Sequence, residues 1–539
     1  MAKKIFQKIA DILLRPFREH FLFLIVFFIL ATSCYIIRHL VIEFYPIAAF
    51  STAIHCFNIS YIVTLLVGII RPKVARKIIQ VILIVLAAID FALNFYCICH
   101  LKYLFDADTA LLILETDANE AKEFITAMIP KGIVIAEIAI YLVLFFLWRL
   151  TTHRNLNLGK KASLFALGLA CMSLVGNLYF WNVWKDGPIA RFWEISQYDV
   201  PSDLKSYYSH PQLTYNEKQD LPLNVVLIIG ESFARCHSSL YGYDKPTNPQ
   251  LKSLKDNSLL FTIDSIDSPA GNTAPSIMKM MSTFSQADEN NNDKKWYEYI
   301  SLIELMKESG YDCFWFGNQA CANKNNGIAR TYAHACDRKF FFQREGIDEV
   351  NDRYDIVLVD SSFQYINQFS KRKHNFFIYH MLGSHFNYSM RYPKNYAKFS
   401  EKDYPTDPQN HREILSTYDN SILYNDFVVK KIMDLFKDSE SVVIYVPDHG
   451  QVMYRNKRNP DYYAHGKGKY DYAYGVEIPF FIFASPLYQE RHPIIMQRIR
   501  ERQNNPKSWN SDDLPYFIMD LIGVKTINGE EVRPRSVLN

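Results

Sequence analysis

No CxxC pair occurs anywhere in the 539 residues, although nine cysteines do, so thiol-based metal or redox chemistry has little to stand on. The net charge of +3 says little about partners because charge is unevenly distributed, but the second half has no dominant basic run, which argues against nucleic acid as a partner. A cleavable leader pattern is missing too. The first apolar run, FLFLIVFFILATSCYII at 21 to 37, is followed by Arg38, His39 and further apolar spans rather than by small residues, and so reads as a retained helix.

What is present is a chain of two unlike halves. Four more apolar stretches follow near 47 to 70, 78 to 99, 132 to 148 and 162 to 180. Several approach the ~20 residues that cross a hydrocarbon core as a helix. The expectation is a five-span transmembrane domain over residues 1–185, an interfacial linker over 186–219 and an exported domain over 220–539. Basic residues mark one side: Lys3, Lys4, Lys8, Arg15 and Arg18, then Arg71, Lys73, Arg76 and Lys77, then Arg149, Arg154, Lys160 and Lys161. The loop between the third and fourth spans is acidic, with Asp106, Asp108, Glu115, Asp117, Glu120 and Glu123. By the positive-inside rule the N-terminus is cytoplasmic, and five crossings place everything after residue 185 outside. The rings of Tyr179, Phe180, Trp181, Trp184, Phe192 and Trp193 suit a membrane interface.

From about residue 220 the runs shorten. LNVVLIIGES, YDIVLVD, NFFIYHMLGSH, SVVIYVPDHG and VEIPFFIFA read as strands, with helices over 295–308 and 411–437. Continuous apolar strands predict a mostly parallel sheet covered on both faces, in an α/β domain. Glu231 and Ser232, His385, and Asp448 with His449 fall just after such strands, where open α/β sheets form their ligand crevice. Glu231, Asp448 and His449 supply oxygen and nitrogen donors suited to zinc, and Thr273 in GNTAPS offers a fourth position. Zinc would stabilise the threonine alkoxide, which points to a metal-assisted transferase or hydrolase. A competing nucleophile is Ser232, because VVLIIGESFA resembles the GxSxG elbow of a serine hydrolase with Ala234 at the last position. Four exported cysteines, Cys236, Cys313, Cys321 and Cys336, allow three complete pairings, of which Cys321 with Cys336 closes a short polar loop.

GESFARCHSSLYGYDKPTNPQL at 230 to 251, GNTAPS at 271 to 276, FWFGNQ at 314 to 319, GSHFNYSMRYP at 383 to 393 and PDHG at 447 to 450 carry a resemblance. Together with the apolar N-terminal half, they resemble the membrane-bound phosphoethanolamine transferases of Gram-negative envelopes. The resemblance implies an alkaline phosphatase/sulfatase-like catalytic domain in the periplasm, anchored in the inner membrane. It makes Thr273 the nucleophile and Glu231, Asp448, His449 and Thr273 the zinc site. His385 and His465 would contact phosphate or a second metal, and Lys324 the transferred group. Thr116 and Glu120 would belong to a loop that receives the donor lipid, where Leu112 replaces an asparagine; Gln451 stands where lipid A modifiers carry glutamate. The implied reaction moves phosphoethanolamine from phosphatidylethanolamine to lipid A, lipopolysaccharide core or another envelope glycan. The ligand set also suits manganese. A phosphoglycerol transferase using phosphatidylglycerol is the nearest alternative, and a membrane receptor with an exported binding domain the nonenzymatic one.

Overall fold

The computed structural model describes the chain except residues 1, 43–44, 102, 107–108, 110–124, 126–128, 152–157, 180–199, 202, 217–220, 290–293, 320–326, 343–353, 370–373, 458–459 and 466–467. Thr116, Glu120, Leu112, Lys324, Cys321 and the aromatic residues from Phe180 to Trp193 therefore lie outside the described residues. Contacts divide the described residues into two compact units, an N-terminal one that runs to Tyr179 and a C-terminal one that begins at Val200.

The N-terminal unit is helical. It contains α1 (Ala2–Arg18), α2 (Phe21–Ile37), α3 (Pro46–Ile69), α4 (Lys73–Tyr96), α5 (Lys131–Thr151) and α6 (Lys160–Tyr179). Among the described residues three helical segments, Phe21–Ile42, Pro46–Ile69 and Lys73–His100, are long and apolar enough to cross a membrane. Many of their large side chains point outward, among them Ile54, Leu66, Ile82, Val85 and Ile89. That arrangement suits a lipid surround and would be unfavourable in water.

The C-terminal unit is built on a seven-stranded sheet. Its strands are β1 (Asn224–Gly230), β2 (Leu260–Ile263), β3 (Asp312–Gly317), β4 (Arg338–Phe341), β5 (Asn375–His380), β6 (Ser441–Pro447) and β7 (Phe480–Ala484), in the order β2-β7-β6-β1-β5-β3-β4. β1, β3, β4, β5 and β6 run parallel, while β7 is antiparallel to both β6 and β2. Every residue of β1, β5 and β6 is buried, as their unbroken apolar sequences require of strands covered on both faces.

Helix packing supplies the cover on one face. α8 (Ile356–Phe369) and α9 (Arg412–Phe436) join a single core with Val226, Ile228, Phe377, Tyr379, Val443 and Tyr445. α9 presents Leu415, Tyr418, Ile422, Asn425, Val429, Ile432 and Phe436, all buried, at alternating spacings of three and four that make one helical stripe.

Three sequence expectations need correction. YDIVLVD is not a strand: it opens α8, whose buried Leu358, Val359, Ser362 and Ile366 lie on one helical face. The β-branched run imitates a strand, and the period becomes visible only when the segment is followed to Phe369. The helix expected over 295–308 is divided into a 3-10 turn, Trp296–Glu298, and a helix, Leu302–Glu308. Ser301 separates them because its hydroxyl accepts from Glu304 N at 3.0 Å and starts the second. Finally, Cys336 is a free buried thiol that donates to Tyr332 O, so it does not form the expected bridge.

Candidate active site

Parallel pairing sets the site. β1, β3, β5 and β6 end in register, so the residues that follow them emerge along one edge of the sheet. Glu231 and Ser232 follow β1, Asn318 and Gln319 follow β3, Met381 to His385 follow β5, and Asp448 to Gln451 follow β6. Thr273 arrives from elsewhere, as the first residue of helix α7 (Thr273–Met280). Asn272, not Thr273, occupies the N-cap position there, and its side chain makes no capping hydrogen bond.

Glu231, Asp448 and His449 are buried, and one potential ligand atom from each lies within 4.8 Å of the others. His449 Nε2 is 3.4 Å from Glu231 Oε1 and 3.5 Å from Asp448 Oδ2. Thr273 Oγ1 lies 3.3 Å from Glu231 Oε2 and 3.4 Å from His449 Nε2. The structure thus brings together the four residues singled out for metal and nucleophile, from three separate parts of the chain.

Buried Asp448 Oδ2 accepts no hydrogen bond. Leaving such an acceptor dry and unpaired is costly unless a cation faces it. His449 Nδ1 is bonded to Gly450 O at 2.7 Å, which places a proton on Nδ1 and leaves Nε2 as the nitrogen that faces the cluster and could bind a metal once it is deprotonated. Two carboxylates and an imidazole with these features fit a divalent ion such as zinc.

Charge follows from the same crowding. Burial opposes ionisation of Glu231, but the His449 hydrogen bond and charge overcome it and hold this carboxyl well below its ordinary range. Asp448 is pushed well up by burial and by the neighbouring Glu231 charge. Burial would lower His449, yet Asp448 and Glu231 raise it to about 9.

A second layer holds the ligands. Ser232 has φ of 55°, a left-handed conformation that is unfavourable for serine. It lets the backbone N–H donate to Asp448 Oδ1 at 3.1 Å while the hydroxyl donates to Glu231 Oε1 at 2.7 Å. Tyr418 on α9 secures the turn, donating to Ser232 O at 2.7 Å and accepting from Ala234 N at 2.9 Å. The Ser232 hydroxyl is therefore committed to a ligand carboxylate.

Sequence reasoning missed two supporting residues. Gln319 Nε2 donates to Glu231 Oε2 at 2.8 Å and to Met381 O at 3.0 Å. Asp355, buried just ahead of α8, accepts from Asn318 Nδ2 at 2.8 Å, Leu382 N at 2.9 Å and Gly383 N at 2.8 Å. It ties the turn after β3 to the turn after β5. An aspartate before a helical stripe is a recognisable start signal, hidden here by reading the segment as a strand.

His465 lies against the cluster, with its ring centre 4.7 Å from that of His449 and nearly perpendicular to it. His385 is half-buried in the turn after β5, its N–H donating to Leu382 O at 3.1 Å, and its buried Nδ1 has no hydrogen-bond partner. Gln451 is buried, donates from Nε2 to Tyr388 OH at 3.2 Å and leaves Oε1 unpaired.

Fold and site define an α/β enzyme of the metal-dependent type, with an alcohol side chain beside the ligand cluster. The chain belongs to the sulfatase family, whose sequence model, described as Sulfatase, matches residues 223–524. It is homologous to phosphoethanolamine transferases. Phosphoethanolamine transferase EptC of Escherichia coli K12 is 27% identical over 461 residues, covering 78% of this chain and 76% of that protein. The crystal structure of the C-terminal periplasmic domain of Escherichia coli EptC in complex with Zn shares 26% identity at a TM-score of 0.53, covering 61% of this chain and 90% of that one. The integral membrane protein lipooligosaccharide phosphoethanolamine transferase A of Neisseria meningitidis has the same fold, with a TM-score of 0.66 and 20% identity over 93% of this chain and 95% of its own.

Proposed function

We propose that this protein transfers phosphoethanolamine from phosphatidylethanolamine to an envelope acceptor, lipid A or the lipopolysaccharide core, through a covalent intermediate on Thr273. The observation that carries the reading is the Thr273 hydroxyl, 3.3 Å and 3.4 Å from two residues of a buried metal-type cluster, in a chain homologous to such transferases.

Glu231, Asp448 and His449, with Thr273 as the fourth position, would hold zinc, and manganese also suits the donor set. A bound divalent ion supplies positive charge that stabilises an alkoxide and the phosphoryl oxygens. Thr273 Oγ1 attacks phosphorus, the phosphorus–oxygen bond to diacylglycerol breaks, and diacylglycerol leaves with a proton. An acceptor oxygen then attacks the same phosphorus, the bond to Thr273 breaks, and the hydroxyl is restored. His385 and His465 contact the phosphoryl oxygens and carry the protons, or hold a second metal. Thr116, Glu120 and Lys324 are assigned by family resemblance to the donor lipid and transferred group.

Residues 1–185 form the inner-membrane anchor in this reading, with α5 and α6 as its fourth and fifth spans and the N-terminus in the cytoplasm. Residues 186–219 connect it to a periplasmic catalytic domain over 220–539.

The test is intact-protein and peptide mass measurement after incubation of the metal-loaded chain with phosphatidylethanolamine and no acceptor. A phosphoethanolamine adduct on the Thr273 peptide, absent from Thr273→Ala, is the expected result. An adduct formed only with phosphatidylglycerol would replace this reading by phosphoglycerol transfer, and one on Ser232 would replace the nucleophile.

A further inference from the structure

The proposed reaction makes no use of α1, whose sequence AKKIFQKIADILLRPFR divides lengthwise at helical spacing. Ile5, Ile9, Ile12 and Pro16 follow one another at steps of four, three and four, flanked by Phe6 and Leu13. Lys4, Lys8, Asp11 and Arg15 repeat those steps one residue earlier, in a row about 100° further round the helix, with Arg18 beside that row.

The two ends of this helix are in different surroundings. Its C-terminal end is docked, with Leu14 and Phe17 buried in a core shared with Leu24, Tyr61, Ala166 and Ala170. Tyr61 OH donates to Leu13 O at 2.8 Å, and Arg18 donates to Ser163 Oγ at 3.3 Å. The N-terminal end is uncovered: Ile5, Phe6, Ile9 and Ile12 are 51%, 68%, 51% and 41% exposed. A contiguous apolar stripe of this size needs an apolar neighbour.

Two observations say what the neighbour is. Only Glu19 and His20 separate α1 from α2, a segment long and apolar enough to cross a membrane, so the stripe lies within one helix length of a membrane-length span. Charge gives the rest. Asp11 is the helix's only acidic residue and it pairs with Arg18 at 3.2 Å, so Lys3, Lys4 and Lys8 carry positive charge that nothing on the helix offsets. A second copy of α1 would bring lysine rows together and repel.

We infer that α1 lies in the plane of the membrane surface as an anchor that prefers anionic lipid. Ile5, Phe6, Ile9 and Ile12 enter the acyl boundary, while Lys3, Lys4 and Lys8 meet anionic phosphate headgroups. The inference stands apart from the transfer reaction and would survive its failure.

The test measures amide hydrogen exchange over residues 3–13 in the full-length chain, held in nanodiscs of phosphatidylcholine alone or mixed with phosphatidylglycerol. Exchange about tenfold slower with phosphatidylglycerol is expected. Replacing Lys3, Lys4 and Lys8 together by glutamine should make the two discs alike, and Ile9→Asp should speed exchange in both. Unchanged exchange around Thr64 in α3 certifies that each variant keeps its bundle. Equal exchange of the native chain in both discs, or a lipid effect that persists in the glutamine variant, overturns the inference. So does protection that requires two copies per disc, which would give the stripe to a second protein. Native mass spectrometry of the unsubstituted chain avoids folding defects altogether: preferential retention of phosphatidylglycerol is expected, and equal retention of phosphatidylcholine counts against the anchor.

Discussion

The hydroxyl of Thr273 stands 3.4 Å from Nε2 of His449, whose other ring nitrogen is bonded to the carbonyl of Gly450. The pair joins the proposed nucleophile to a candidate metal ligand whose Nδ1–H is already engaged. Thr273→Ala should abolish both the covalent adduct and turnover, lowering kcat/KM by at least about 10³-fold. Thr273→Ser keeps the hydroxyl and should retain adduct formation at a reduced rate, because loss of the methyl frees an extra rotamer. Single-turnover mass measurements distinguish these outcomes, and an active alanine variant would exclude the mechanism.

Metal uptake should release protons. In the metal-free protein burial lowers His449, but Asp448 and Glu231 raise it to about 9, so the ring is charged at neutral pH. A metal ligand must be neutral, and affinity should therefore climb as pH rises toward about 9 and level off above it. Because the folded value lies above the ordinary one near 6.5, this interaction stabilises the metal-free fold fully below about pH 6.5. That stabilisation is lost as pH rises through about 9. Calorimetry at pH 7 in buffers of different ionisation enthalpy should show about one proton or more released per metal.

Ser232 offers a way to separate strain from ligand support. Ser232→Ala removes the 2.7 Å bond to Glu231 and should weaken metal binding by about 10–100-fold. Ser232→Gly removes the same bond but accepts φ of 55°, so it should match alanine in metal affinity while being about 1 kcal/mol more stable. Metal titration and denaturant unfolding of the metal-free variants provide the two readings.

Gly383 and Asp355 should act on the metal without touching it. At Gly383 φ is 50°, and a Cβ would stand 2.9 Å from Glu231 Cβ and Glu231 N. Gly383→Ala should cost about 2 kcal/mol or more and displace Glu231. Asp355→Asn keeps the shape but has one acceptor oxygen for three donors, leaving a buried N–H unpaired at about 1–3 kcal/mol. Both variants should bind metal more weakly than the native chain; a normal affinity in a destabilised Asp355→Asn protein would confine Asp355 to the fold.

Much of this was readable without coordinates where the information is local. The runs that became β1, β5, β6 and β7 are short, apolar and bounded by polar residues, and α9 advertises its period over seven turns. Glu231, Asp448, His449 and Thr273 stand out in the sequence because their residue types suit one chemistry, and the structure places them side by side. Harder cases had weak or misleading local patterns. β4 is an edge strand, Arg338–Phe341, with two exposed basic residues, and its assignment rests on pairing with β3. α8 begins with a β-branched run that alternates poorly with either period.

The sequence by itself determined which side chains are available to the site and that apolar helices precede an α/β domain, since composition and period act over a few residues. Only tertiary structure decided the 3.3 Å approach of Thr273 to Glu231, the left-handed turn at Ser232 and the clamp made by Asp355. Those depend on parallel pairing between strands up to some two hundred residues apart, from β1 at Asn224 to β6 at Ser441, and a hydrogen bond between such segments leaves no periodic trace in either one.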